Sequence, residues 1–238
     1  MAALRSHAMR FPGETTRYRA ARNRLLVAER DLRRRVEQVA VMRRKLPLGG
    51  QIPEDYVFEE GAMDLADTTA VYRVKLSDLF RDGPNSLIVY SFMFGPDMKQ
   101  ACPMCTSFID SLSGAAPHFG QRASLAVVAK SPIGRIRDFA RERGWNHLRL
   151  LSSVGNTYNR DYHGEGPDGG QIPSLNVFVR RAGKIQHFYN TELVFLPGDR
   201  GQNQRHNDMA WPLWNLLDFT PEGRGADWFP QLSYHTHS

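Results

Sequence analysis

The residues whose types and spacing could do chemistry lie in one stretch. It runs Tyr90-Ser-Phe-Met-Phe-Gly-Pro-Asp-Met-Lys-Gln-Ala-Cys102-Pro-Met-Cys105-Thr-Ser-Phe-Ile-Asp110 and reads as a buried strand, a loop, and a Cys-x-x-Cys pair at the mouth of a helix. Cys102 and Cys105 are the only two cysteines in 238 residues, too few for a disulfide framework. A zinc site of the usual kind needs two more ligands, so the pair points to redox chemistry. A thiol reacts as its thiolate, and oriented amides at a helix N-terminus favour that form. Pro103 suits the first helical position, where no N–H is needed. Cys105 falls one turn along the same face, close enough to close a disulfide. The expected course is attack by Cys102 on an oxidised substrate, giving a mixed disulfide or a sulfenic acid, followed by resolution by Cys105.

The rest of the chain must position that pair. A hydrophobic content of 41% is ordinary for a folded globular chain of this length, and one main domain with additions is expected. No apolar run approaches the roughly 18 residues of a membrane span. The start, Met1-Ala-Ala-Leu-Arg-Ser-His, lacks the apolar core of a secretory signal. A soluble, cytoplasmic protein is expected, with no membrane partner. The net charge of +6 is uneven: residues 1–45 hold 13 of the 31 Lys and Arg and 4 of the 25 Asp and Glu, a balance of +9 against −3 for the remainder.

Five segments are expected: a disordered leader over 1–13, an amphipathic basic helix over 14–46, a connector over 47–70 with a short strand within Ile52–Ala62, the cysteine-bearing domain over 71–190, and a C-terminal extension over 191–238 packed on it. In the helix Tyr18, Leu25, Leu32, Val39 and Leu46 recur every seventh residue, a seam that could pair two copies of the chain. Its arginines read as a solvated face; apart from Tyr18, on the seam, the helix offers no aromatic to stack on bases, so no nucleic-acid partner is expected. Strands are expected at Val71–Leu76, Ser86–Phe94, Ser124–Ala129 and Leu148–Leu151, with helices from the cysteines to about Ser113 and over Ile133–Arg143. Gly155–Gly170 reads as a polar loop carrying too many Gly, Asp and Asn residues to be core. Ile172–Val179 and Lys184–Tyr189 flank a turn at Arg180–Gly183 and form a hairpin. Another polar loop, Pro197–Asp208, and a short helix at Trp211–Leu217 follow. Parallel strands linked by helices, then an antiparallel pair, make a mixed sheet in an α/β sandwich.

That order, with Cys-x-x-Cys after one strand and Ile172-Pro173 before the hairpin, resembles the thioredoxin fold: a three-layer sandwich with a mixed sheet, here with a long N-terminal helix and a C-terminal extension. The resemblance implies that Pro173 is cis and lies against the cysteines, leaving the backbone of Ile172 to hold an extended substrate. A closer resemblance rests on Arg19-Ala-Ala-Arg-Asn-Arg-Leu-Leu, Arg43-Arg-Lys-Leu-Pro47, Asp55-Tyr-Val-Phe-Glu59, Phe92-Met-Phe-Gly-Pro96, Cys102-Pro-Met-Cys-Thr-Ser-Phe108, Arg143-Gly-Trp145 and Leu217-Asp-Phe-Thr-Pro221. In these the chain resembles the DUF899 family, thioredoxin-like proteins of unknown function.

The reading that follows is a thiol–disulfide oxidoreductase without a cofactor, acting on a protein disulfide or a small thiol or peroxide substrate and recharged by an external thiol. Three alternatives are set beside it. One is a peroxiredoxin-like thiol peroxidase, suggested by Phe-x-x-Gly-Pro ahead of Cys-Pro; that family places Thr or Ser three residues before the cysteine, where this chain has Lys99, which could favour the thiolate. General thioredoxins carry Trp-Cys-Gly-Pro-Cys, whereas here Ala101 replaces the Trp and Pro103-Met104 the Gly-Pro. Another is a Cu(I) site made by the two thiolates and one of His118, His147, His163, His187 or His206, although no bound metal is the leading expectation. The last is a non-catalytic dimeric scaffold.

Overall fold

The computed structural model describes residues 8–80, 85–198, 200, 208–225 and 227–234. Residues 1–7 of the leader, residues 81–84, most of the 197–208 loop with His206, and the last four residues lie outside the described set. The chain divides into two units, 1–47 and 48–238.

The first unit is α1, Thr16–Arg44. Thr15 caps it, its hydroxyl accepting from the Tyr18 amide at 3.1 Å, and Arg43 and Arg44 complement the dipole in the last turn. Tyr18, Leu25 and Leu32 of the sevenfold seam are exposed along the helix.

The second unit is built on seven strands: β1 (Val57–Gly61), β2 (Val71–Lys75), β3 (Ser86–Ser91), β4 (Ser124–Ala129), β5 (Arg149–Ser152), β6 (Ser174–Arg181) and β7 (Lys184–Asn190). They form one sheet in the order β2-β1-β5-β4-β3-β6-β7. β3, β4 and β5 run parallel, while β6 is antiparallel to β3 and β7 to β6. The parallel strands are linked by α2 (Pro103–Phe119) and α3 (Ile133–Arg143). The four strands β4-β3-β6-β7, with a helix entered through Cys-x-x-Cys straight after β3, make this a thioredoxin-like α/β sandwich with a mixed sheet.

Side-chain alternation along β3 separates two cores. Tyr90 and Phe92 face α2, α3, Cys105 and the C-terminal Trp211 and Trp214. Leu87 and Val89 face Tyr56, Phe58, Tyr158 and Phe178 on the other side. Gly144 closes α3 at φ 71°, a left-handed turn that glycine adopts without a Cβ clash. At the hairpin tip Ala182 and Gly183 both have positive φ, the primed turn that suits the twist of a two-residue loop.

The short strand expected in the connector over 47–70 is β1, an inner strand paired with β2 and β5 and tied to β5 by Arg149, whose Nε and Nη2 donate to both Glu60 oxygens at 2.7 and 2.6 Å. Three expectations need correction. The polar loop 155–170 contains a turn of helix, α4 (Tyr158–Asp161), with Tyr158 and Asn159 buried; Tyr158 packs edge-on against Tyr56 and Phe58. Its Gly and Asn residues serve close packing, Asn159 accepting from the buried Ser153 hydroxyl at 2.8 Å. α2 runs past Ser113 to Phe119 and carries Pro117 within it. Pro173 is trans, since no peptide among the described residues is cis.

Beyond the sheet, α5 (Pro212–Leu217) packs on α2, with Trp211 edge-on to Phe108 at 5.8 Å and to Trp214 at 5.5 Å. Trp211 is fully buried. Trp211→Ala is expected to cost about 3–5 kcal/mol in urea unfolding, the usual range for deleting a buried aromatic. A loss below about 1 kcal/mol would mean that the C-terminal segment does not brace α2.

Candidate active site: a dithiol at a helix N-terminus

β3 ends at Ser91, and the chain then loops over Phe92–Ala101 before entering α2. Cys102 is the N-cap of that helix, its backbone extended, with Pro103 in the first turn. Its amide donates to the Met93 carbonyl at 3.1 Å, which fixes the loop back onto the strand end. Its carbonyl takes the first helical bond from the Thr106 amide and a second from the Thr106 hydroxyl, both at 2.9 Å. The sulfur is thereby held where the unpaired amides of the first turn point, and the Cys105 amide donates to Cys102 Sγ at 3.4 Å.

Both cysteines are free thiols. They are not equivalent. Cys102 is half-buried at the edge of the apolar cluster, whereas Cys105 is fully buried. The Cys102 thiol is lowered to about 6, chiefly because the Cys105 side chain donates to its sulfur, and because the Cys105 and Met104 amides do so too; burial opposes them. Cys105 moves well above its ordinary value through burial and through its bond to Cys102. At neutral pH the pair therefore carries one thiolate, on the outer sulfur, and one thiol beneath it.

Tyr90 is a member of this site that sequence reading had placed only in a strand. It is fully buried beneath the helix, its ring edge-on to Phe108 at 4.8 Å. The hydroxyl makes no regular hydrogen bond in the dithiol form. Burial pushes the phenol well above the ordinary value, and the nearby sulfurs of Cys105 and Cys102 add to that. It stays protonated, and it acts to lower the pKa of Cys105, as a donor to that sulfur would.

The loop ahead of the cysteines is held by a second unforeseen residue. Arg135 of α3 lies over the Phe94 ring at 4.1 Å. Its guanidinium donates to the carbonyls of Gly95 at 3.0 Å, of Met98, and of Lys99 at 3.4 Å. One planar cation thus collects carbonyls that the loop cannot satisfy by itself. An Arg at the third position of a helix carries no signal for this, because its partners are backbone atoms about 40 residues away.

Of the remaining predicted site residues, Pro103 is in the first turn of α2. Lys99 is exposed and is tied to the site only through its backbone. Ile172 and Pro173 immediately precede Ser174, which pairs with Ser91 at the end of β3. Gln171, just before them, packs so closely on Gly95 that a Cβ there would stand 2.9 Å from its Cγ. The hairpin entrance and the cysteine loop are therefore neighbours, as the topology requires, without the cis bond. His187 bonds Asn176 on the opposite face of the sheet, and no cluster of three or more His, Cys, Asp or Glu able to hold a metal occurs among the described residues, which do not include His206.

Residues 9–237 match the family described as bacterial protein of unknown function, DUF899. The chain belongs to that family. Comparison with curated proteins found no match. Similar solved structures include AhpC of Enterococcus faecalis, at 12% identity over 77% of this chain and 98% of that one, with a TM-score of 0.46. Thioredoxin peroxidase I of Plasmodium yoelii is 18% identical over 73% and 91%, with a TM-score of 0.45. Peroxidoxin BcpB of Mycobacterium tuberculosis is 18% identical over 72% and 98%, also at 0.45. No residue role follows from likenesses of this size. No helix among the described residues is long and apolar enough to cross a membrane.

The asymmetry of the two sulfurs is measurable. Alkylation of Cys102 by iodoacetamide should follow a midpoint of about 6: below it the thiol is protonated and slow, above it the rate levels off. Cys105→Ala deletes the principal donor, so the midpoint should rise toward the unperturbed value of about 8.5. An unchanged midpoint in that variant would show that the buried thiol does not hold the thiolate.

Proposed function

We propose that the protein is a thiol–disulfide oxidoreductase in which Cys102 is the nucleophile and Cys105 the resolving thiol. The observation that carries this reading is the inequality of the pair, with an outer sulfur lowered to about 6 and a buried one raised above its ordinary value. The Cys102 thiolate attacks one sulfur of a substrate disulfide, and the other sulfur leaves as a thiolate. Cys105 then passes its proton to the departing substrate thiolate, the Tyr90 hydroxyl donating to the sulfur left behind, and the Cys105 thiolate attacks Cys102 Sγ. The Cys102–Cys105 disulfide forms and the second substrate thiol is released. Two electrons pass from the pair to the substrate, and an external thiol, of the kind present in a reducing cytoplasm, restores the dithiol.

A second reading is supported by the half-burial of Cys102 at the edge of the apolar cluster. A small peroxide would reach that sulfur more easily than a folded protein would. Its distal oxygen would leave as water and Cys102 would become a sulfenic acid, which Cys105 would condense to the same disulfide with loss of a second water. Ile172 and Pro173 keep their proposed role beside an extended substrate through their place next to the Ser91–Ser174 pair, now with trans geometry; Pro103 keeps the N-terminal amides free to face the sulfur, and Lys99 lends positive charge to the loop.

Cys105→Ser should trap a mixed disulfide on Cys102 with oxidised glutathione, visible as a single adduct in intact-mass spectra, and Cys102→Ser should trap none. Hydrogen peroxide in place of oxidised glutathione distinguishes the peroxidase reading by a sulfenic acid on the same variant. Tyr90→Phe keeps the ring and removes the donor. It should slow release of the adduct by about tenfold, the value of one hydrogen bond to a charged sulfur, while leaving adduct formation unchanged. Adducts on neither cysteine would rule out the proposal.

A further inference from the structure

On the face of the sheet opposite the cysteines, a cavity of about 590 Å³ opens between β7, the segment after α4, and residues 192–196. Its existence depends on a break in strand alternation. His187 and Asn190 are three residues apart and would point to opposite faces of a regular strand. The register shifts between β6 and β7: His187 stands opposite Phe178, and Asn190 opposite Asn176. Phe188 is the extra residue of this bulge, so His187 and Asn190 both face the cavity. Asn176, fully buried, accepts from Asn190 Nδ2 at 2.8 Å and from His187 Nε2 at 3.0 Å. The other wall needs Gly49: a Cβ there would stand 2.8 Å from the His187 carbonyl oxygen, and only without it can the Gly49 amide reach that oxygen, at 2.9 Å.

The chemistry of the lining is one-sided. Tyr162 and His187 present rings 5.4 Å apart, and Phe195 adds a third at the mouth. Asp161 and Glu192 contribute carboxylates, and no Lys or Arg lines the cavity among the described residues, in a chain that is net basic. Asp161 is committed to Tyr56, Thr157 and Arg160. Glu192 forms no ion pair with a Lys or Arg among the described residues, and its charge acts on His187, which burial holds below its ordinary value. The Asn190 carboxamide oxygen is a buried acceptor without a donor behind the wall.

Aromatic faces and a carboxylate, with no Lys or Arg among the described residues of the lining, fit one class of small molecule. We infer that this cavity is a second site, separate from the dithiol, that binds a small organic cation, either an amine or a quaternary ammonium, with Glu192 as its counter-charge and Tyr162 and Phe195 on its flanks.

Isothermal titration of the full chain with choline and with putrescine, beside the uncharged tert-butyl isostere of choline, tests it. At least one cation should bind, and the isostere should bind at least about tenfold more weakly, since the charge supplies the cation–π and Glu192 terms. Glu192 and Phe195 are exposed at the mouth, so Glu192→Gln and Phe195→Ala should fold as wild type, and each should weaken the cation by about fivefold or more. Cys102→Ser should leave the affinity unchanged. The inference is overturned if neither cation binds up to about 10 mM, if the isostere binds as well, or if both mouth variants bind as wild type does.

Discussion

The start of α2, where the Cys105 amide donates to Cys102 Sγ at 3.4 Å, is the constraint on which the rest of the structure depends. It sets a half-buried sulfur beside a buried one, the outer thiol lowered and the inner one raised. Nothing in two identical side chains specifies that difference. It comes from where α2 begins, because the cap residue receives the free amides while the residue one turn on is driven into the core against Tyr90 and Phe108.

The surrounding elements serve that start point. β3 delivers the chain, and Arg135 gathers the carbonyls of the loop between strand and helix. Asp110 of α2 accepts from the Trp145 indole at 2.8 Å and pairs with Arg143, which ties the helix to the end of α3. Trp211 closes the outer side through Phe108. Each contact restrains α2 or its approach, so the core on this face works as a mount for two sulfurs. The opposite face is built differently, around a bulge and a buried pair of asparagines, and leaves a cavity rather than a packed surface.

Much of this was legible in residue patterns, for reasons that also explain what was missed. Ser124–Ala129 and Ile133–Arg143 appear where apolar runs and a closing glycine put them, because local patterning and burial agree there. The dithiol was legible because two cysteines at that spacing beside Pro103 have few other uses. A short strand was legible within Ile52–Ala62, but not its inner place in the sheet, because Glu60 is neutralised by Arg149, far along the chain. The stretch 155–170 looked like solvent-exposed loop because its buried polar groups find partners within the fold. The trans state of Pro173 corrects an expectation taken from a family resemblance rather than from the residues. Tyr90 and Arg135 act through space on atoms distant in sequence, and no spacing reveals them.

The central claim is that the two cysteines form one two-electron unit tuned by the acidity of Cys102. Equilibration of the protein in glutathione redox buffers, with acid quench and intact-mass counting of free thiols, tests it most directly. The account predicts that both thiols are lost together in a single transition. Its midpoint should lie between about −270 mV, that of thioredoxin with a thiolate pKa near 7, and about −120 mV, that of dithiols whose thiolate pKa is near 3.5. Independent loss of the two thiols, or a dithiol that stays reduced across that whole range, would contradict it.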